Sequence, residues 1–80
     1  MTALRTASRY NERMPNILLN GEPRELRAGI NLIDLLQTAG FGGRKVAVEI
    51  NREIVPKSCH ADRVLAEGDR VEIVQAMGGG

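Results

Sequence analysis

Aromatic side chains are almost missing from this chain: Tyr10 and Phe41 are the whole set, and there is no tryptophan. Stacking of nucleic-acid bases needs several such rings on a cationic face. Here the lysines and arginines are scattered and the formal net charge is +1, so nucleic-acid binding is unsupported. There is one cysteine, Cys59, and one histidine, His60. A single thiol forms no internal disulfide and no four-thiolate iron–sulfur centre, which is compatible with a reducing cytoplasm. The adjacent pair does not reach the ligand count of a zinc site, and an irregular turn supplies no obvious activation for a nucleophilic Cys59. No metal and no bound cofactor are expected. No apolar run approaches the length of a membrane span. Eighty residues make one small domain, and a domain of that size buries only roughly 60% of its unfolded surface, which leaves little room for an enclosed active site.

Residues 1–13 hold Arg5, Arg9 and Arg13 against Glu12, with few apolar groups and no secretory h-region. They read as a flexible N-terminal extension. The Arg-rich, acid-poor start also allows a short transit peptide, and Met14 could serve as the start codon.

Structure signals crowd the chain from Asn16 onward. Ile17 to Leu19 is a short apolar run, and Asn20-Gly21 supplies positive φ at both centres of a type I′ turn, predicting a hairpin that returns over Arg24 to Arg27. Asn31 is placed as a helix N-cap with Asp34 at N3, and Ile30 and Leu35 as a hydrophobic staple. Leu32, Leu35, Leu36 and Ala39 recur on one helical face, and Gly40 gives the C-terminal stop. Gly42-Gly43 then leads from helix to strand, the reverse of the order that aims N–H groups at phosphate, and reads as a connector. Val46 to Ile50 has strand composition, Asn51-Arg52 turns into Glu53-Ile54-Val55, and Pro56 ends that pairing. A single irregular helical turn is predicted over Ser58 to Leu65. Alternation in the last strand, from Arg70 toward residue 76, sends Val71 and Ile73 to the core and leaves Arg70, Glu72 and Val74 outside. The order β-β-α-β-β-turn-β, with first and last strands adjacent and parallel, predicts an α+β β-grasp, or ubiquitin-like, domain over residues 14–76.

The residues after the last strand cannot pack a core. Gly78, Gly79 and Gly80 have no side chains and their backbone loses the most entropy on ordering, so residues 77–80 read as a flexible tail. Its final carboxylate sits on residues thin enough to thread a narrow channel in another protein, which makes that carboxylate the candidate reactive group. A frayed end or a linker stub is the alternative. Val74, Ala76 and Met77 form a candidate apolar strip at the tail's root, with Arg70 and Glu72 beside it; methionine suits surfaces that meet more than one partner. Met77 covering the sheet end, and Arg70 and Glu72 as a merely solvated face, are the plainer readings.

The runs Leu19-Asn20-Gly21-Glu22, Val46 to Asn51, Glu53 to Pro56, Gly68 to Val74 and Gly78-Gly79-Gly80 together resemble the ThiS family, the sulfur carriers of thiamin biosynthesis, over Asn16 to Gly80. The resemblance implies a protein co-substrate, not an enzyme. A ThiF-like adenylating partner would use Mg-ATP to activate Gly80, a sulfur donor system would convert it to a thiocarboxylate, and a ThiG-like thiazole synthase would receive the sulfur. Gly78, Gly79 and Met77 would be recognised in the tail, and the free protein would be a monomer. Two rivals share the glycine end: the small subunit of molybdopterin synthase, and ubiquitin-like modifiers. A plain interaction module with an accidental tail is a further alternative. Arg52 departs from the family, which usually has a turn glycine there; left-handed backbone at that residue should cost on the order of 1 kcal/mol.

Overall fold

Two turns with left-handed backbone set the strand registers. The computed structural model of the protein describes residues 14–75; the N-terminal extension and residues 76–80 lie outside them. Strand β1 (Asn16–Leu19) meets β2 (Glu22–Glu25) across Asn20 and Gly21, whose φ angles of 50° and 85° are both positive as a type I′ turn requires. That two-residue turn forces pairing at once, Leu19 opposite Glu22 and Asn16 opposite Glu25. The returning strand therefore lies two residues earlier than the expected Arg24 to Arg27. By Leu26 the chain has turned inward: the side chain is buried and its N–H bonds Pro15 C=O at 2.8 Å.

Helix α1 (Leu32–Thr38) starts and stops on local chemistry. Asn31 caps it, with Oδ1 accepting from Asp34 N–H at 2.8 Å. At the other end Phe41 N–H bonds Leu36 C=O and Gly40 N–H bonds Gln37 C=O, a Schellman pair made possible by Gly40 at φ 93°. Leu32, Leu35 and Leu36 are buried with Ile30, while Ala39 is only partly so. Each such leucine contributes about 1.5–3 kcal/mol.

Strands β3 (Val46–Ile50), β4 (Glu53–Ile54) and β5 (Arg70–Gln75) complete one sheet in the order β2-β1-β5-β3-β4. β5 runs parallel to β1 and antiparallel to β3. One face of this sheet, carrying Ile17, Leu19, Val48, Ile50, Val71 and Ile73, closes over the helix. The architecture is the expected β-grasp.

The helical turn expected over Ser58 to Leu65 is a 3₁₀ helix at Lys57–Asp62. It stops early because its successor has another task. Arg63 C=O takes Leu32 N–H at 2.8 Å and Leu65 N–H bonds Ile30 C=O at 3.0 Å, so this segment satisfies a helix-terminal donor as a short antiparallel bridge.

Asn51 and Arg52 both adopt left-handed backbone, at φ 55° and 71°. Asn51 tolerates this and uses it: its Oδ1 accepts from Arg70 N–H at 3.0 Å. Arg52 has no such return. Relief of roughly 1–2 kcal/mol of strain, less the backbone entropy that glycine loses, predicts that Arg52→Gly stabilises the fold by about 0.5–1 kcal/mol. Thermal melting should show a rise of several degrees; an unchanged or lower Tm would refute the strain.

Candidate functional site

The root of the tail is a clamped strand. β5 is paired on both sides, by β1 over Leu18 and Leu19 and by β3 from Val46 to Ile50. Where β1 ends, the turn residue continues its work: Asn20 N–H bonds Val71 C=O at 2.8 Å, and Asn20 Oδ1 accepts from Ile73 N–H at 2.8 Å. β5 is thereby fixed in direction as far as Gln75, where its pairing with Val46 ends.

Alternation along β5 places the expected residues as the sequence predicts. Val71 and Ile73 are buried, while Arg70, Glu72 and Val74 are exposed, Val74 at 65%. The remaining candidates, Ala76, Met77, Gly78, Gly79 and Gly80, lie outside the described residues, so the apolar strip is described only at Val74. Register adds neighbours that no sequence pattern assigned. Ala47 stands opposite Val74, Glu49 opposite Glu72, and Ile54, 70% exposed, opposite Glu49. Outward alternation of β3 signals Ala47 and Glu49; only pairing says what they face.

Glu49, Arg52, Arg70 and Glu72 line a groove of about 210 Å³ on this outer face. Two carboxylates directly across a ladder repel. Among the described residues the only ion pair is Arg63 with Asp69, at 3.4 Å, so these four charges are not paired with one another. A partner can therefore engage them without breaking an internal salt bridge.

Behind this face lies a polar anchor. Asp69 is buried; its Oδ1 accepts from Asn51 Nδ2 at 3.0 Å and its Oδ2 from Ala66 N–H at 2.9 Å. Asp69 C=O also accepts from Leu18 N–H at 3.0 Å, so the residue joins the β3–β4 turn, the loop before β5 and β1. By sequence, Glu67-Gly68-Asp69 reads only as a turn into the last strand.

Cys59 and His60 diverge. Cys59 is a free, exposed thiol, whereas His60 is buried with Nε2 donating to Val55 C=O at 3.0 Å. Among the described residues no group of three metal-binding side chains forms, and no described helix is long and apolar enough to cross a membrane.

The ThiS family model matches residues 17–80. The chain belongs to the ThiS family. It is 42% identical to the sulfur carrier protein ThiS of Thermus thermophilus over 64 residues, 80% of this chain and 98% of that one. It is also 47% identical over 64 residues to a thiazole synthase of Paramagnetospirillum magneticum, and there it spans only 20% of the relative's length. A thiazole synthase of Magnetococcus marinus gives the same 20% share. The crystal structure of the thiamine biosynthesis protein ThiS from Geobacter metallireducens superposes with a TM-score of 0.70 at 29% identity, over 81% of this chain and 99% of that one. The fold is thus shared.

Proposed function

We propose that this ThiS-family domain is a sulfur carrier for thiamin biosynthesis, with the Gly80 carboxylate as the group that is activated and loaded. The observation that carries this reading is that the family match continues past the clamped end of β5 through Gly80. Two relatives of matching length are named sulfur carriers, and the domain's likeness to part of two thiazole synthases supports a thiazole synthase as sulfur acceptor.

A carboxylate is a poor electrophile. An adenylating, ThiF-like partner holding Mg-ATP lets a Gly80 carboxylate oxygen attack the α-phosphorus, releasing pyrophosphate and leaving an acyl adenylate. Sulfide-level sulfur from a donor system then attacks the acyl carbon, AMP departs as the leaving group, and a thiocarboxylate, ionised at neutral pH, remains on Gly80. Gly79 and Gly78 keep the tail narrow, since a Cβ there would crowd a channel and restrict its backbone. Arg70, Glu72 and Val74, with Ala76 and Met77, form the docking surface at the channel mouth. The domain is a monomeric co-substrate, and catalysis belongs to its partners.

Intact mass spectrometry of protein isolated from its host tests this: sulfur in place of one oxygen adds about 16 mass units, which alkylation distinguishes from methionine oxidation. Protein that is never loaded in a host making thiamin would overturn the reading. Because the sulfur rides on Gly80, Cys59→Ser is expected to leave both thiocarboxylate formation and Tm essentially unchanged, within about 0.5 kcal/mol for an exposed site. Loss of loading with an unaltered circular dichroism spectrum would require a thiol step.

A further inference from the structure

A second cleft, of about 380 Å³, lies on the other side of β3 and is lined by Arg44, Lys45, Val46, Ala47, Lys57 and His60. It runs along a free sheet edge. Asn51 N–H bonds Arg70 C=O at 2.8 Å, which fixes the phase of the β3–β5 ladder: Ala47, Glu49 and Asn51 turn their backbone groups to β5, and Val46, Val48 and Ile50 turn theirs away. β4 answers only part of that outward edge, pairing with Glu49 and Ile50 and adding one bond from Val55 N–H to Val48 C=O. Pro56 then ends the strand and Lys57–Asp62 departs as the 3₁₀ helix. Val46 is left with its N–H and C=O facing the cleft and no strand neighbour among the described residues.

The side chains around this edge carry one sign of charge. Arg44, Lys45 and Lys57 are exposed, no acidic residue lines the cleft, and none of the three cations is in an ion pair among the described residues. Lysines at an edge repel a second copy of the same chain, which brings the same cations. They attract a strand of opposite charge.

The geometry points to a β-augmentation site: the cleft takes an extended acidic segment of a partner protein, which adds backbone bonds at Val46 while its carboxylates meet Arg44, Lys45 and Lys57. Val46 and Ala47 give the incoming strand an apolar wall beside the His60 ring, whose Nε2 is already committed to Val55 C=O. The site uses the edge of β3 opposite β5 and no part of the tail, so it stands or falls independently of the sulfur-carrier reading.

Titration of the ¹⁵N-labelled full chain with a capped peptide of alternating glutamate and valine is the test. Amide shifts should concentrate at Lys45, Val46, Ala47 and Lys57, with slowed hydrogen exchange at Val46 and dissociation constants near about 1 mM, ordinary for so short a strand. The double variant Lys45→Glu/Lys57→Glu should weaken binding about tenfold with the rest of the spectrum unchanged. Should that variant misfold, about 0.5 M salt must weaken binding to the native chain several-fold. Four results would overturn the proposal: no shifts at about 5 mM peptide, equal binding of a control peptide with lysine in place of each glutamate, the same shifts from inorganic phosphate at equal concentration, or shifts at Val46 that depend on protein concentration alone.

Discussion

Adding a single residue after Gly80 is expected to abolish activation of the protein by its adenylating partner. A peptide unit advances the chain by about 3.3–3.6 Å, as large as the roughly 3–3.5 Å separation at which reacting atoms must be held. One appended residue therefore moves the acyl carbon a whole reaction distance along the threaded tail, and a misplacement of only about 1 Å can already cost about 10²-fold. Exchange of labelled pyrophosphate into ATP reads this step directly. It should be robust with untagged and N-terminally tagged protein and fall at least about 10²-fold with a C-terminal extension. Deleting Gly79 and Gly80 should be equally damaging to exchange and to complementation of a thiamin auxotroph, yet leave Tm in place, because the buried apolar core lies between Ile17 and Ile73. Equal exchange from C-terminally tagged and untagged protein, with the tag confirmed intact, would falsify the assignment of Gly80.

Asp69→Ala is expected to be the most damaging polar substitution to the fold, at about 2–4 kcal/mol. The Asp69 side chain is 8% exposed and its carboxylate accepts from Asn51 Nδ2 and Ala66 N–H. Truncation removes the acceptor of the part-buried Ala66 N–H bond and frees the Asn51 side chain that also caps Arg70 N–H. The ion pair is the lesser part: Arg63 is one-third exposed at its side chain, so water screens it and Arg63→Ala should cost no more than about 1 kcal/mol. Urea denaturation with a common m-value separates the two. Equal costs for Asp69→Ala and Arg63→Ala would assign the anchoring to charge, and a cost below about 1 kcal/mol for Asp69→Ala would remove it.

What the sequence by itself determined was everything decided within a few residues. Asn20-Gly21 dictates its turn because two consecutive left-handed residues are cheap there; Asn31 with Asp34, and Gly40 after Ala39, fix both ends of α1 through bonds that span one helical turn. Period-two alternation places Val71 and Ile73 inside and Arg70, Glu72 and Val74 outside without reference to any pairing. Tertiary structure alone decided what those outward residues meet. The groove of Glu49 and Arg52 with Arg70 and Glu72 comes from strand register, and the bond from Ile73 N–H to Asn20 spans 53 residues, so no local pattern encodes it. The same holds for His60, which the sequence shows only to lack the companions of a metal site and which the fold makes a buried donor to Val55, and for Asp69, whose partner Asn51 lies 18 residues away. Local signals set the elements because short-range backbone chemistry is cheap to satisfy. Which polar groups become buried, and which edge of β3 stays open, depended on where the short β4 stopped and how the loops closed over the core.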